Sequence, residues 1–141
     1  MKTRYKPKVD GLFLWIFIPT NLFLIGGVAL AFLEPPALFI MLPVFLFSNY
    51  FFISPLFGYV ELRESTLFIK YGFSMKKEIP YSKIRSAEKQ RKWYSETMLS
   101  LKNSMEHVNI KYNTFDVTAV SVVDNEGFVT AVNDKIKALK N

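Results

Sequence analysis

Residues 67–84, LFIKYGFSMKKEIPYSKI, alternate between apolar and polar side chains. One phase is apolar on both sides of a turn at Gly72 and Ser74, and it comprises Leu67, Ile69, Tyr71, Phe73, Met75, Ile79 and Tyr81. A period of two with turn residues in the middle predicts a β-hairpin with one buried face. Pro80 has no backbone N–H to donate, so it belongs at a strand end or a sheet edge. The phrase IPYSKI, residues 79–84, therefore predicts a corner at which the chain leaves one strand pairing for another.

Strand-like segments continue on both sides of this hairpin. They are predicted near residues 59–63, 84–91, 97–101, 106–113 and 116–123, although residues 92–104 also fit a helical turn. Asp124 can cap a final helix that runs to about Leu139. The apolar stripe of that helix consists of Phe128, Ala131, Val132, Ile136 and Leu139. A series of short strands followed by one helix predicts a partly open barrel or bent sheet, plugged by the terminal helix.

Upstream of the strands, two long apolar runs contain no charged residue. Residues 12–33 and residues 37–57 are each long enough to cross a hydrocarbon core of about 30 Å as a helix. The tripeptide Glu34-Pro35-Pro36 separates them, and proline ends one helix but is tolerated in the first turn of the next. The pattern predicts a helical hairpin across a membrane. A cleaved signal peptide is the competing interpretation, but the first run is longer than an ordinary signal sequence and a second run follows at once.

The basic residues predict how this hairpin is oriented. Lys2, Arg4, Lys6 and Lys8 precede the first run, none lies in the connecting turn, and many follow the second run from Arg63 onward. The positive-inside rule then places both termini in the cytoplasm. We therefore expect an α+β protein of the cell membrane with two spans. It would have a basic cytoplasmic N-terminus at residues 1–10, a transmembrane hairpin at 11–58 and a cytoplasmic domain at 59–141.

Two amides interrupt the apolar runs at matching depth. Asn21 precedes Pro35 by as many residues as Asn49 follows it. In an antiparallel hairpin the two side chains reach a similar level, so we expect them to hydrogen-bond and join the helices. A polar transport pathway is the alternative, and the lack of an ionisable residue inside the runs disfavours it.

The composition excludes several kinds of site. The chain of 141 residues has no cysteine and one histidine, His107, so it cannot build a disulfide framework, a cysteine metal site or a His-rich metal cluster. A net charge of +6 distributed around the apolar runs is too small for a dedicated nucleic-acid binder. No phosphate-binding loop or hydrolase motif is present, and His107 is expected to face solvent beside Asn109 and Lys111. We therefore predict no enzymatic activity, no catalytic residues, no cofactor and no metal.

The best candidate binding surface is basic. It comprises Lys76, Lys77, Arg85, Lys89, Arg91, Lys92 and Trp93, with the three basic residues of 84–91 assigned to one face of a strand. Held beside an inner leaflet, such residues could bind anionic lipid headgroups or a membrane protein, with Trp93 at headgroup level. Glu78 and Glu88 lie among them, so an ordinary solvated face is the alternative, and the mixed charge favours it.

Short motifs in the second half resemble a known family. LFIKYGF followed by IPYSKI, and later VNIKY and SVVDNEGFVTAV, are similar to bacterial PH-like domains of the small YyaB-like membrane protein family. Val122 and Val123 stand where that family has a Ser-Pro step, and KNSMEHV replaces a tighter strand start. The resemblance covers roughly residues 60–140 and implies a PH-type fold on a membrane hairpin, without catalytic residues.

These observations leave two main hypotheses. The first is a non-enzymatic module that holds a PH-type domain at the inner leaflet to bind a protein or a lipid. The second is self-protection against a membrane-active peptide toxin, by analogy with other small PH-like membrane proteins. A transporter or enzyme subunit is a third and weaker hypothesis. The expected partners are the bilayer itself, anionic headgroups or a membrane protein, and not nucleic acid.

Overall fold

A computed structural model describes residues 3–94, 97, 100–101 and 104–141. In chain order the elements are β1 (Thr3–Tyr5), α1 (Gly11–Ala31), α2 (Pro35–Ile53), β2 (Tyr59–Leu62), β3 (Thr66–Lys70), β4 (Lys76–Pro80), β5 (Ile84–Arg91), β6 (Ser100–Leu101), β7 (Glu106–Tyr112), β8 (Asp116–Val120) and α3 (Asn125–Lys140). Short 3₁₀ turns at Ser54–Phe57 and Tyr81–Lys83 follow α2 and β4. The predicted order of an apolar helix pair, a series of strands and a terminal helix is confirmed.

The helices α1 and α2 form an antiparallel pair whose surface is apolar around its circumference. Each is long and apolar enough to cross a membrane, by length and composition alone. The rings of Phe13, Phe17 and Phe52 meet where the pair joins the domain, with ring centres 5.4 to 6.2 Å apart. Further along, a Cβ on Gly27 would lie 2.5 Å from Met41 Cε. The missing side chain of Gly27 therefore lets α2 approach α1 closely there.

Among the described residues, the strands form two four-stranded sheets. The first has the order β1-β2-β3-β4 and is antiparallel, and the second has the order β5-β7-β8-β6, in which β6 runs parallel to β8. Of the strand predicted near 97–101, residues 100 and 101 form β6, and residues 98 and 99 lie outside the described residues. The inner faces share one core, to which α3 contributes Phe128, Val132 and Ile136. The predicted plug by the terminal helix is therefore present.

The corner predicted at residues 79–84 is confirmed. Pro80 ends β4, an edge strand of the first sheet, which suits a residue without a backbone N–H. The 3₁₀ turn then carries the chain to Ile84, the first residue of β5 in the second sheet. Tyr81 is buried in this turn, and its hydroxyl donates to the carbonyl of Arg63 at 3.1 Å. The phrase IPYSKI is thus the passage between the two sheets.

The segment before α1 belongs to the domain, which differs from the separate N-terminus predicted at residues 1–10. β1 pairs with β2 and becomes an edge of the first sheet. The same segment also bonds to the chain after β8: Lys8 N–H donates to Ser121 O at 2.9 Å, and a bridge pairs Pro7 with Val122. It therefore joins both sheets. A strand of 3 residues is too short to show an alternation, so the sequence pattern does not reveal it.

The strands run between two ends of the domain. At one end Met105 N–H donates to Asp10 Oδ2 at 2.9 Å, beside the start of α1. At the same end Phe73 N–H donates to Ser54 Oγ at 2.9 Å, beside the end of α2. We call this the hairpin-proximal end. The opposite, distal end contains the turns 63–65, 81–83 and 113–115, which are joined by backbone hydrogen bonds.

Candidate functional site

The residues predicted as one basic surface lie on two different sheets. Lys76 and Lys77 are on β4 in the first sheet. Arg85, Lys89 and Arg91 are on β5 in the second. The corner at residues 81–83 lies between the two groups along the chain, and their side chains lie in different environments.

The two lysines of β4 point to opposite faces of their sheet. Lys77 is directed between the sheets, where its Nζ donates to the Tyr112 hydroxyl and lies 4.6 Å from the centre of that ring. Lys76 is exposed and lies in register opposite Lys70 of β3. Lys77 therefore holds the two sheets together, whereas Lys76 is open to a ligand.

Lys89 is held in a cluster of charges at the start of α3. Its Nζ lies 3.0 Å from Glu126 Oε1 and 3.8 Å from Glu106 Oε2. Lys8 lies 3.2 Å from the same Glu106 oxygen, and together these lysines lower the pKa of Glu106. The hydrogen bond to Glu126 raises the pKa of Lys89. The cluster lines a cleft of about 190 Å³, in which Lys8 and Lys89 face the carboxylates of Glu106, Asp124 and Glu126.

Arg85 lies far from the other basic residues of its strand. It is the extra residue of a bulge between Ile84 and Ser86, and its side chain is exposed. Arg91 ends the same strand, about 20 Å away at roughly 3.3 Å per residue. Arg85 is therefore at the distal end and Arg91 is at the hairpin-proximal end.

The segment 92–94 lies beside the start of α1. Lys92 N–H donates to Met105 O at 3.0 Å, and Met105 is in turn bonded to the residue that caps α1. Trp93 is 72% exposed and packs edge-on against Tyr94, with ring centres 5.6 Å apart. The Lys92 ammonium lies 5.5 Å from the centre of the Tyr94 ring. An exposed aromatic pair with adjacent positive charge thus stands next to the first helix.

Beside the end of α2, the turn between β3 and β4 carries a second group of exposed apolar side chains. Phe73 stacks on Phe57 with ring centres 4.9 Å apart, and its ring centre lies 5.7 Å from that of Tyr50. Phe73 is 49% exposed and Met75 is 55% exposed. The alternation predicts both side chains to be buried, and this is wrong because the strands end before the turn. Sequence reasoning therefore missed this part of the surface.

Two lysines, Lys70 and Lys76, flank this turn. Within the described residues, neither Lys70 nor Lys76 has a carboxylate at ion-pair distance. Further along the same sheet the charges are paired, since Arg63 lies 3.1 Å from Glu61 and 3.0 Å from Glu78. The hydrogen bond from Arg63 lowers the pKa of Glu61. Hydrogen bonds from Thr66 and then Arg63 lower the pKa of Glu78. Lys70 and Lys76 therefore place positive charge without a counter-charge among the described residues beside the helix pair.

We define the hairpin-proximal surface as the exposed or half-buried aromatic, apolar and basic residues of this end: Phe57, Lys70, Phe73, Met75, Lys76, Arg91, Lys92, Trp93 and Tyr94. It offers ring faces, apolar area and cations. Such groups can bind a ligand through burial of apolar area and through charge. In the part of the chain that the structure describes, no three His, Asp or Glu side chains are grouped as metal ligands.

His107 is buried, contrary to the exposed position predicted for it. His107 and Asn109 are both 0% exposed, and His107 Nδ1 lies 3.3 Å from Met105 O. Asn109 Nδ2 donates to Gln90 Oε1 at 3.0 Å, and the core face of the same strand, with Val108 and Ile110, is also buried. Alternation cannot distinguish the two faces of a strand when both are buried.

The two amides of the helix pair bond within their own helices. Asn21 Nδ2 donates to Phe17 O at 3.0 Å, and Asn49 Nδ2 donates to Phe45 O at 3.0 Å. Both side chains are half-buried. Among the described residues no hydrogen bond joins Asn21 to Asn49. The expected link between the helices is not formed, because each amide bonds to the carbonyl four residues before it in its own helix.

A family of known domains matches more than half of the chain. Residues 58–136 match the family described as Bacterial PH domain. The matched segment begins just before β2 and ends within α3, so it contains both sheets except for β1. No curated protein and no solved structure matches the chain.

Proposed function

The chain belongs to the bacterial PH-domain family, and from this premise we propose that it is a membrane-anchored, non-enzymatic interaction module at the inner leaflet. PH domains are generally interaction modules rather than catalysts. The helix pair would be the anchor, and the two-sheet domain would be the part that binds.

The pairing of β1 with β2 is the observation that carries this proposal. β1 precedes both helices and β2 follows them, yet the two strands are neighbours in one sheet. A chain that leaves the domain through α1 must therefore return through α2 to the same side of the membrane. The basic residues on both flanks favour the cytoplasm as that side.

The anchor would also fix the orientation of the domain. The helix pair is attached at both of its ends, through Asp10 to Met105 and through Ser54 to Phe73. A domain on a single flexible linker samples many orientations, whereas two attachments restrict it. A restricted orientation suits a module that presents one face to a partner.

Single cysteines can test the topology cleanly, because the chain has none of its own. Glu34→Cys lies in the turn between the helices, and Phe115→Cys lies in an exposed turn of the distal end. With a membrane-impermeant maleimide, we expect intact cells to label position 34, and position 115 to be labelled only after permeabilisation. Labelling of position 115 in intact cells, or release of the chain by alkaline carbonate, would overturn the anchoring.

The interaction role needs a separate test. Crosslinking in native membranes, affinity purification and mass spectrometry should enrich a specific protein or lipid with the tagged chain. An unrelated two-span protein of similar size is the control. Recovery of nothing beyond that control would contradict an interaction module.

Within the family, we propose membership of the YyaB-like group, which the segments LFIKYGF and IPYSKI support. Self-protection against a membrane-active peptide toxin stays an alternative prediction. Deleting the gene and exposing the cells to such toxins separates the two roles, since only self-protection requires the deletion strain to become more sensitive.

A further inference from the structure

Resting on the anchoring proposed above, we propose that the hairpin-proximal surface docks on anionic lipid headgroups of the inner leaflet. The basic residues at the distal end and in the paired clusters take no part. The occupant of the surface is the bilayer interface, reached by a domain that the helices already hold beside it.

Position is the first argument. The turn 71–75 lies against the end of α2, where Phe73 is bonded to Ser54. The segment 92–94 lies beside the start of α1, through the backbone bond from Lys92 to Met105. When both helices cross the bilayer, these two segments stand at the level of the headgroups. One belongs to each sheet, so contact through both would hold the whole domain against the leaflet.

The exposed rings are the second argument. Trp93, Phe57 and Phe73 are 72%, 58% and 49% exposed at this level. Trp15, in the second turn of α1, is 81% exposed at the same end of the helix pair. Aromatic side chains, Trp and Tyr above all, are enriched where membrane meets water. The rings of the domain therefore continue a belt that begins on the helix.

Charge is the third argument. Lys70 and Lys76 flank the turn with no carboxylate at ion-pair distance among the described residues. At the other sheet, Arg91 lies in register opposite Glu106, and Lys92 follows it as a further basic residue. By contrast Lys89 is paired with Glu126. Basic clusters beside a bilayer attract anionic lipids. The cations would select the lipid charge, while the rings would set the depth of contact.

The fluorescence of Trp93 can report this contact directly. The chain has two tryptophans, so Trp15→Phe leaves Trp93 as the single probe. The full chain is reconstituted in vesicles of phosphatidylglycerol or of phosphatidylcholine, each doped with a lipid that carries a nitroxide quencher near its headgroup. We expect emission at shorter wavelength and stronger quenching in the anionic vesicles.

A matched probe at the distal end controls for general proximity to the membrane. Trp15→Phe, Trp93→Phe and Phe115→Trp together place the single tryptophan at a position that is 90% exposed in the native chain. Its emission should stay that of a tryptophan in water, with no difference between the two lipids.

Charge reversal tests the selectivity for lipid charge. Lys70→Glu with Lys76→Glu should weaken the docking of Trp93 on anionic vesicles by on the order of tenfold. The control reverses two exposed lysines at the distal end, Lys83→Glu and Lys137→Glu, and so changes the net charge by the same amount. That variant should behave like the parent chain.

Equal quenching in the two lipids, or equal loss in both charge-reversed variants, would overturn the docking. These results are independent of the cysteine labelling. Normal labelling at positions 34 and 115 without lipid-dependent quenching rejects the docking alone, whereas labelling of position 115 in intact cells rejects the anchor on which it rests.

Discussion

The carboxylate of Asp10 accepts a hydrogen bond from the backbone N–H of Met105 at 2.9 Å, and the same carboxylate caps the first turn of α1. One side chain thus links the first helix to the start of β7. We expect Asp10→Ala to lower the free energy of unfolding by about 2 kcal/mol, because it removes a helix cap and leaves a backbone N–H without its acceptor. Thermal unfolding of the full chain in micelles measures this loss.

Asp124 offers a matched comparison, because it caps α3 by accepting a hydrogen bond from Gly127 N–H at 2.9 Å. Asp124→Ala removes a cap without breaking a bond between distant segments, so the expected loss is about 1 kcal/mol. If Asp10→Ala costs no more than Asp124→Ala, the contact with Met105 contributes nothing to stability.

Removal of residues 1–8 should open the seam between the two sheets. The segment pairs with β2 and bonds to the chain after β8, and both would become unpaired edges. Hydrogen exchange is expected to become faster within residues 59–62 and 121–123, and to stay slow where β7 pairs with β8. Unchanged exchange within 59–62 would show that β1 does not occupy that edge.

Gly72 and Ser54 are expected to be strongly coupled. A Cβ on Gly72 would lie 2.1 Å from Ser54 Oγ, so Gly72→Ala should cost about 1–3 kcal/mol by overpacking. Ser54→Ala removes that oxygen, although it also removes the acceptor for Phe73 N–H. Chemical unfolding of both single variants and the double variant should give a combined loss smaller than the sum. If the losses in the free energy of unfolding are additive, the turn 71–75 accommodates the new Cβ by shifting away from Ser54 without strain.

Asn21 and Asn49 should behave independently. Each amide donates to its own helix, so Asn21→Ala and Asn49→Ala share no hydrogen bond that the other could break. In a double-mutant cycle on the full chain, we expect the losses to add within about 0.5 kcal/mol. A larger coupling energy would indicate that the two amides contact each other across the helices, as their matching depth predicts.

The stability of the domain should fall in alkali. Burial raises the pKa of Tyr71 to about 12 and that of Tyr81 to about 12, from an ordinary value of 10.0. The folded chain therefore keeps protons that the unfolded chain releases. The contribution is complete below pH 10.0 and is lost as pH rises towards about 12. Unfolding measured across that range should show a shallower decline for Tyr71→Phe, and an identical slope would argue against the burial of this phenol.

Local patterns account for most of the domain. The alternation within residues 67–84 predicts the hairpin, because one phase of its strands is buried and the other is not. Pro80 predicts the corner after the hairpin, because it has no backbone N–H to donate. The cap at Asp124 and the stripe behind it likewise predict α3. β1 is different, since its partner lies beyond both helices and no nearby residue encodes the pairing. His107 also escapes prediction, because both faces of its strand are covered.

The candidate site was predictable only in part. Trp93 is exposed beside the start of α1, and its predicted position at headgroup level stays a prediction. Phe73 was missed, because a rule of alternation assigns it to the core and ignores where the strand ends. Lys77 and Lys89 look free in the sequence but bond to Tyr112 and Glu126, residues far along the chain. Contacts between distant segments leave no mark on local composition.

Both helices are encoded between two strands that are neighbours in one sheet. During synthesis β1 emerges from the ribosome first, and it cannot pair with β2 until both helices have been synthesised. Under the proposed anchoring, sheet assembly would be completed only after both helices have been inserted into the membrane. A nascent polypeptide whose helices are misplaced would keep an unpaired strand edge, which proteases and chaperones can recognise. Because the two strands flank the helices along the chain, completion of the first sheet would depend on correct placement of both helices.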